Sequence, residues 1–234
     1  MADAVAPPVP RLKRVAAPIL LVMATASLAA AVLLPAPKRG RPAGPDVGSL
    51  PPSLDPVPAF ALTERSGKPV TNADLLGKVW VASFIFTRCS GPCPSVTGTI
   101  GRLQDELRLA DTPDLRLVSF TFDPDHDTPD ELKRYADRFN AHPDRWLFLT
   151  GPEDQLHELA KTGFKIGVTR SDDPHARPGE KYQHTTYLAV VDKQGRIRGH
   201  FHGYNGPSDP AGGKFAGELA RLRATVAECL AERP

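Results

Sequence analysis

Two of the three cysteines in this 234-residue chain stand four positions apart, in Cys89-Ser90-Gly91-Pro92-Cys93, directly after a long apolar run. Gly91 and Pro92 set a tight turn between them. The pair can close a disulfide if the two Cα atoms come within about 7 Å. As thiolates the two are soft ligands that suit Cu(I), zinc or an iron–sulfur cluster. Pro94 fits a first helical position, because its ring fixes φ and its missing N–H has no helical partner there. That places Cys93 at a helix N-cap, where the helix dipole favours negative charge and lowers a thiol pKa. Arg88 puts a positive charge beside Cys89, either to raise its thiolate fraction or simply to face solvent. The residues alone leave three uses open: holding a metal, exchanging electrons, or bracing the fold. Cys229 falls in an apolar helical pattern near the C-terminus and reads as a packed thiol.

A strand over residues 79–86 must present the pair. It is apolar throughout, as a central strand covered on both faces should be. Before it, residues 60–63 and Pro69-Val70 flank a Ser66-Gly67 turn and read as a small hairpin. After it the pattern predicts a helix over 95–109 and a second strong strand over 115–122. That strand ends in Asp123-Pro124-Asp125-His126-Asp127. Thr128-Pro129-Asp130-Glu131 then carries the marks of a helix start, with a helix to about residue 139. A short strand follows over 145–149, a helix over 153–161 and a polar loop over 165–181. His184 opens the next strand, over 186–191, which turns through Asp192-Lys193-Gln194-Gly195 into a return strand over 196–201. A last helix runs from Asp209-Pro210 to about residue 230. This order predicts an α/β fold, a mixed sheet with helices on both faces.

The whole chain sets outer bounds. Its 41 % hydrophobic content allows one domain with a good core plus extensions. A net charge of +2 with no long basic tract gives nucleic-acid binding no support. Three cysteines exclude a disulfide-dense scaffold. Residues 1–14 read as a cytoplasmic tail ending in Arg11, Lys13 and Arg14. Residues 15–34 are uncharged, about 20 residues, the length that spans a bilayer, and read as a single transmembrane helix. The basic cluster before them keeps the N-terminus cytoplasmic and exports the rest, although Lys38, Arg39 and Arg41 reduce that asymmetry. The competing reading is a cleaved signal peptide, with small residues at 24–26 and 29–31 as candidate cleavage sites. Residues 35–58 form a Pro-rich linker, and the folded domain is 59–234.

Three segments resemble the Sco/SenC family of copper-delivery proteins. They are FIFTRCSGPCP, with its C-x-x-x-C-P after an apolar strand; SFTFDPDHDTPDELKRYADRF, with its D-P-x-x-D-T-P; and YQHTTYLAVVDKQGRI, with a lone histidine before a hairpin strand. The resemblance implies a thioredoxin-like fold and a Cu(I) site made by Cys89, Cys93 and His184. It also implies that Cys89 and Cys93 are a redox pair, since only the dithiol can hold the metal. The implied partner is the copper-bearing subunit of cytochrome c oxidase, or another copper chaperone. The implied location is the inner membrane, single-pass through 15–34, with the domain in the periplasm or an equivalent compartment. Two departures stand out. Gln183 precedes the histidine where the family often has Asp, so a carboxylate is missing there. The Gly91-Pro92 turn replaces an acidic loop seen in many members.

The expected role is therefore a metallochaperone rather than an enzyme. Its first rival is a thiol–disulfide oxidoreductase acting on a partner's cysteines, which uses Cys89 and Cys93 and does not need His184. A thiol peroxidase and a copper or redox sensor are further rivals. Asp123 and Asp127 sit where α/β folds place their sites and either support the metal or a docked partner, or serve turn and cap chemistry. His200 and His202 alternate on a strand and share a face, as an accessory metal site or as solvated side chains. His126, His142, His157 and His175 belong to no constellation.

Overall fold

The structure, a computed structural model, describes residues 55–173, 175–207 and 209–233. The expected tail, anchor and nearly all of the linker lie outside the described residues. Among those described, no helix is long and apolar enough to cross a membrane.

Two apolar runs dictate the centre. β3 (Val79–Ile85) is buried at every position, and β4 (Leu115–Thr121) at all but Arg116. They pair in parallel from Val79 opposite Leu115 to Ile85 opposite Thr121. β5 (Trp146–Thr150) adds a third parallel strand beyond β4. β1 (Ala61–Glu64) and β2 (Pro69–Thr71) form one antiparallel edge; β8 (Tyr187–Val191) and β9 (Ile197–His202) form the other. The sheet order is β2-β1-β5-β4-β3-β8-β9, the thioredoxin-like mixed sheet. Packing reaches back to residues that the sequence assigns to the linker: Val57 is buried, and its N–H donates to the Gly195 carbonyl at 2.8 Å.

The two faces are covered unequally. α1 (Cys93–Glu106), α2 (Pro129–Asp137) and α4 (Gly213–Ala231) pack on one face. There the Thr97 and Tyr135 hydroxyls of α1 and α2 meet at 2.9 Å, and Arg221 of α4 lies over Phe201. The short α3 (Glu153–Glu158) and the π turn after it, Leu159–Gly163, cover the other. Phe164 follows that turn and packs against Phe84, Phe120 and Trp80, with ring centroids 5.3, 5.9 and 5.8 Å away. His200 lies on this face too. It is buried, and its Nε2 donates to the Phe164 carbonyl at 2.7 Å. It is thus not solvated, and burial lowers its pKa.

Four boundaries differ from the sequence reading. α1 begins at Cys93, with Pro92 as its N-cap, so Pro94 is the second helical residue rather than the first. α1 ends at Glu106; Arg108 turns to a φ of 50° and a separate 3₁₀ turn, Leu109–Asp111, follows. α4 starts at Gly213, four residues after Asp209. The polar loop contains a strand, β6 (Val168–Arg170), antiparallel to β7 (Tyr182–His184), with Val168 opposite His184. His184 therefore closes a two-stranded ribbon instead of opening β8. Only Val168 and Tyr182 of that ribbon are buried, so it carries no hydrophobic alternation to read.

One buried polar knot ties the sheet centre together. Ser119 Oγ accepts from Trp146 Nε1 at 3.1 Å and shares a hydrogen bond with Ser83 Oγ at 2.9 Å. Ser119→Ala leaves two buried polar groups, Trp146 Nε1 and Ser83 Oγ, unpaired and should lower stability by about 1–3 kcal/mol. Urea unfolding checks this; an unchanged midpoint would show the knot to be energetically idle.

Candidate metal and redox centre

The carboxyl ends of parallel strands are where α/β sheets build sites. The loop leaving β3 carries Cys89, and Cys89 N–H closes a turn onto the Phe86 carbonyl at 3.2 Å. The chain then enters α1 at Cys93. Cys93 is fully buried and Cys89 is half-buried; both are free thiols, as is the buried Cys229. His184 arrives from β7, 91 positions along the chain from Cys93, with its Nε2 3.3 Å from Cys93 Sγ.

The state of His184 follows from its other nitrogen. Nδ1 lies 2.9 Å from the Thr185 carbonyl, which can only accept, so Nδ1 carries a proton. In the neutral ring Nε2 then presents its lone pair to the sulfurs, the tautomer a metal ligand needs. The ring sits on Phe122, centroids 4.8 Å apart, and edges Phe86. Gln183 is exposed. The orienting contact that a carboxylate at that position would have supplied comes from the Thr185 carbonyl.

The two thiols share their charge unequally. Cys89 is held well below the usual thiol range. The main cause is a hydrogen bond from the Cys93 thiol; burial opposes it, and the N–H groups of Cys93 and Gly91 add to the lowering. Cys93 is pushed far up, because it holds the proton it donates to Cys89 and because it is buried. This reverses the expectation that the helix N-terminus makes Cys93 the thiolate. At full burial, desolvation and the neighbouring sulfur outweigh the dipole. Among the described residues no His, Cys, Asp or Glu trio forms a ready cation cluster. The three donors lie side by side instead: the Cys93 thiol is directed to Cys89, and His184 Nε2 lies against Cys93 Sγ. As a donor set, two sulfurs and one imidazole match a soft, low-coordinate ion.

Asp123 and Asp127, both fully buried, support this loop. Asp127 accepts from Thr87 N–H at 3.1 Å, Thr87 Oγ1 at 2.5 Å and Thr121 Oγ1 at 2.5 Å. Burial raises its pKa against those hydrogen bonds. It thus fastens the start of the thiol loop to β4, while Thr128 alone caps α2, accepting from Glu131 N–H at 3.3 Å. Asp123 accepts from Arg88 Nη2 and from Lys181 Nζ, each at 2.6 Å. Burial would raise its pKa, but those two partners outweigh it and hold it low. Arg88 is therefore paired with Asp123 rather than facing solvent freely.

Sequence reasoning passed over Lys181 and Tyr182, which sit within three residues of His184. Tyr182 packs its ring on Phe86 and donates its hydroxyl to Glu153 at 2.7 Å. His157, which the sequence left without a role, packs its ring on both Tyr182 and Phe122. No spacing rule would have marked these, because they come from two segments far apart in the chain. His202 is half-buried against Tyr187.

The family model described as SCO1/SenC matches residues 51–213. A SCO1 protein homolog of Bacillus subtilis (strain 168) is 35 % identical over 155 residues, which cover 65 % of this chain and 77 % of that protein. The solved structure of BsSco, described as a member of the Sco family of cytochrome c oxidase assembly proteins with a disulfide switch, is 28 % identical. It superposes with a TM-score of 0.62 over 78 % of this chain and 97 % of its own. Yeast Sco1 with copper bound is 26 % identical, with a TM-score of 0.53 over 73 % of this chain and 94 % of its own.

The unequal thiols lead to a pH prediction. Below its ordinary pKa near 8.5 a free thiol is mostly protonated, but Cys89 remains a thiolate there until pH falls through its depressed value. Iodoacetamide at pH 6 should therefore label Cys89 well before Cys93 or Cys229, as read by peptide mapping of the reduced chain. Preferential labelling of Cys93 would reverse the assignment.

Proposed function

The chain belongs to the SCO1/SenC family, and from that premise we propose that it handles copper in the assembly of cytochrome c oxidase, binding Cu(I) as cargo through Cys89, Cys93 and His184. The observation that carries this reading is the placement of His184. A histidine 91 residues away is held in the ligand tautomer with its free nitrogen 3.3 Å from a buried cysteine sulfur. A simple dithiol exchanger does not need that nitrogen. Binding requires Cys93 to release the proton it now donates, after which both sulfurs are anionic. Three ligands leave a position open to a partner's donor during transfer. The recipient in this reading is the copper-bearing oxidase subunit, or another copper chaperone. Residues 15–34 hold the protein in the membrane as a single span, with the domain on the periplasmic or equivalent side.

A second reading has its own support. Cys89 is half-exposed with its pKa lowered, whereas Cys93 is buried with its pKa raised. That is the division of labour in thiol–disulfide exchange. Cys89 would attack a partner's disulfide and release one of its sulfurs as a thiolate. Cys93, losing its proton, would then attack Cys89 Sγ. The products are a Cys89–Cys93 disulfide and a reduced partner.

Cu(I) titration of the reduced full chain against a chromophoric competitor separates the two. One tight copper per chain is expected. His184→Ala should weaken it by at least about 10–100-fold, the scale on which loss of even a residue that only supports a ligand acts at a metal. Cys89→Ser or Cys93→Ser should abolish tight binding, and Cys229→Ser should leave it unchanged. No tight copper, together with a readily reduced Cys89–Cys93 disulfide, would favour the exchanger.

A further inference from the structure

His184 is carried by a ribbon that lies outside the main sheet: β6 and β7 pair only with each other. No strand ladder ties it to β3 or β4, yet its Nε2 must meet a sulfur at the exit of β3. The segments that do touch are the thiol loop, residues 87–92, and the turn and strand over 177–184.

We propose that Asp123 is a positioning residue that clamps the His184 segment to the Cys89 loop through two cations. Its functional meaning rests on the copper reading above; its geometry does not. Asp123 lies at the exit of β4 with no exposed surface. One carboxylate oxygen takes Arg88, the residue before Cys89, and the other takes Lys181, three residues before His184. A single buried charge is thus met half from each ligand-bearing segment. Removing either cation leaves that charge undercompensated, which is costly at full burial.

A second contact, independent of charge, closes the same seam. Ser90 N–H and Ser90 Oγ approach the Gly179 carbonyl at 3.4 and 3.3 Å. A Cβ on Gly179 would fall 2.7 Å from the Arg88 carbonyl oxygen and 2.7 Å from Ser90 Oγ. The two backbones meet where only glycine fits. Movement of the thiol loop, as on closing a disulfide or passing on a metal, therefore pulls on Arg88 and Ser90 and reaches His184 through Asp123 and Gly179. The clamp makes the third ligand's position depend on the state of the first two.

Two variants test this on the reduced full chain. Lys181→Met keeps the aliphatic stem and removes the charge; Gly179→Ala keeps every charge and forces the backbones apart. In the metal-free protein each should speed amide exchange over residues 168–185 by about tenfold while β3 and β4 stay protected, since exchange reports local opening. For Cu(I), Lys181→Met should fall to the affinity of His184→Ala, and the double variant should be no weaker than either single one. That non-additivity marks residues acting through one another; a general loss of stability would instead add to the His184→Ala loss. Unchanged exchange in both variants, or additive copper losses, would overturn the clamp. If the wild-type chain takes up no Cu(I), the copper reading fails, and the exchange comparison still decides the clamp.

Discussion

Two fully buried carboxylates at the end of β4 set the terms for everything around the thiols. Asp123 and Asp127 cannot be left bare at that depth, because an unmet buried charge costs several kcal/mol. Each is met from the neighbouring loop rather than from its own strand alone. Asp127 draws in Thr87, and Asp123 draws in Arg88 and Lys181. The thiol loop is thereby fixed at its root, and the ribbon carrying His184 is brought against it. The parallel register of β3 and β4 makes this possible, since it ends both strands at one level, Ile85 beside Thr121.

Within that frame the site divides one proton among three groups. Cys93 donates it towards Cys89, and His184 faces the Cys93 sulfur with its unprotonated nitrogen. The arrangement is a compact cluster. It can open in two directions. Loss of the Cys93 proton exposes three soft donors to one ion; oxidation joins the two sulfurs and removes them as ligands. Metal handling and dithiol exchange are thus alternative fates of one hydrogen-bonded cluster. The placement of His184 distinguishes them here.

Much of this was legible in the chain. The apolar runs of β3 and β4 and the Thr128-Pro129 helix start declare themselves by composition and cap chemistry, and Thr128 caps as expected. The cysteine pair and His184, joined by resemblance, do converge. What was not legible depended on contacts between distant segments. Nothing local in Lys165–Lys181 marks a strand, because β6 is held by β7 rather than by its own pattern. The charge reversal between Cys89 and Cys93 arises from burial, which spacing does not show. His200 reads as a surface residue until Phe164, 36 positions away, supplies its acceptor. Asp127 reads as a cap because the Thr87 hydroxyl that claims it comes from another strand's end.

A copper site here requires three particular ligands. X-ray absorption at the copper edge of the Cu(I)-loaded chain, with His184→Ala alongside, tests their identity directly. Two sulfur scatterers and one nitrogen, with the nitrogen lost in the variant, is the expected result. A sphere of sulfur alone in the wild-type chain, or one unchanged by His184→Ala, would contradict it.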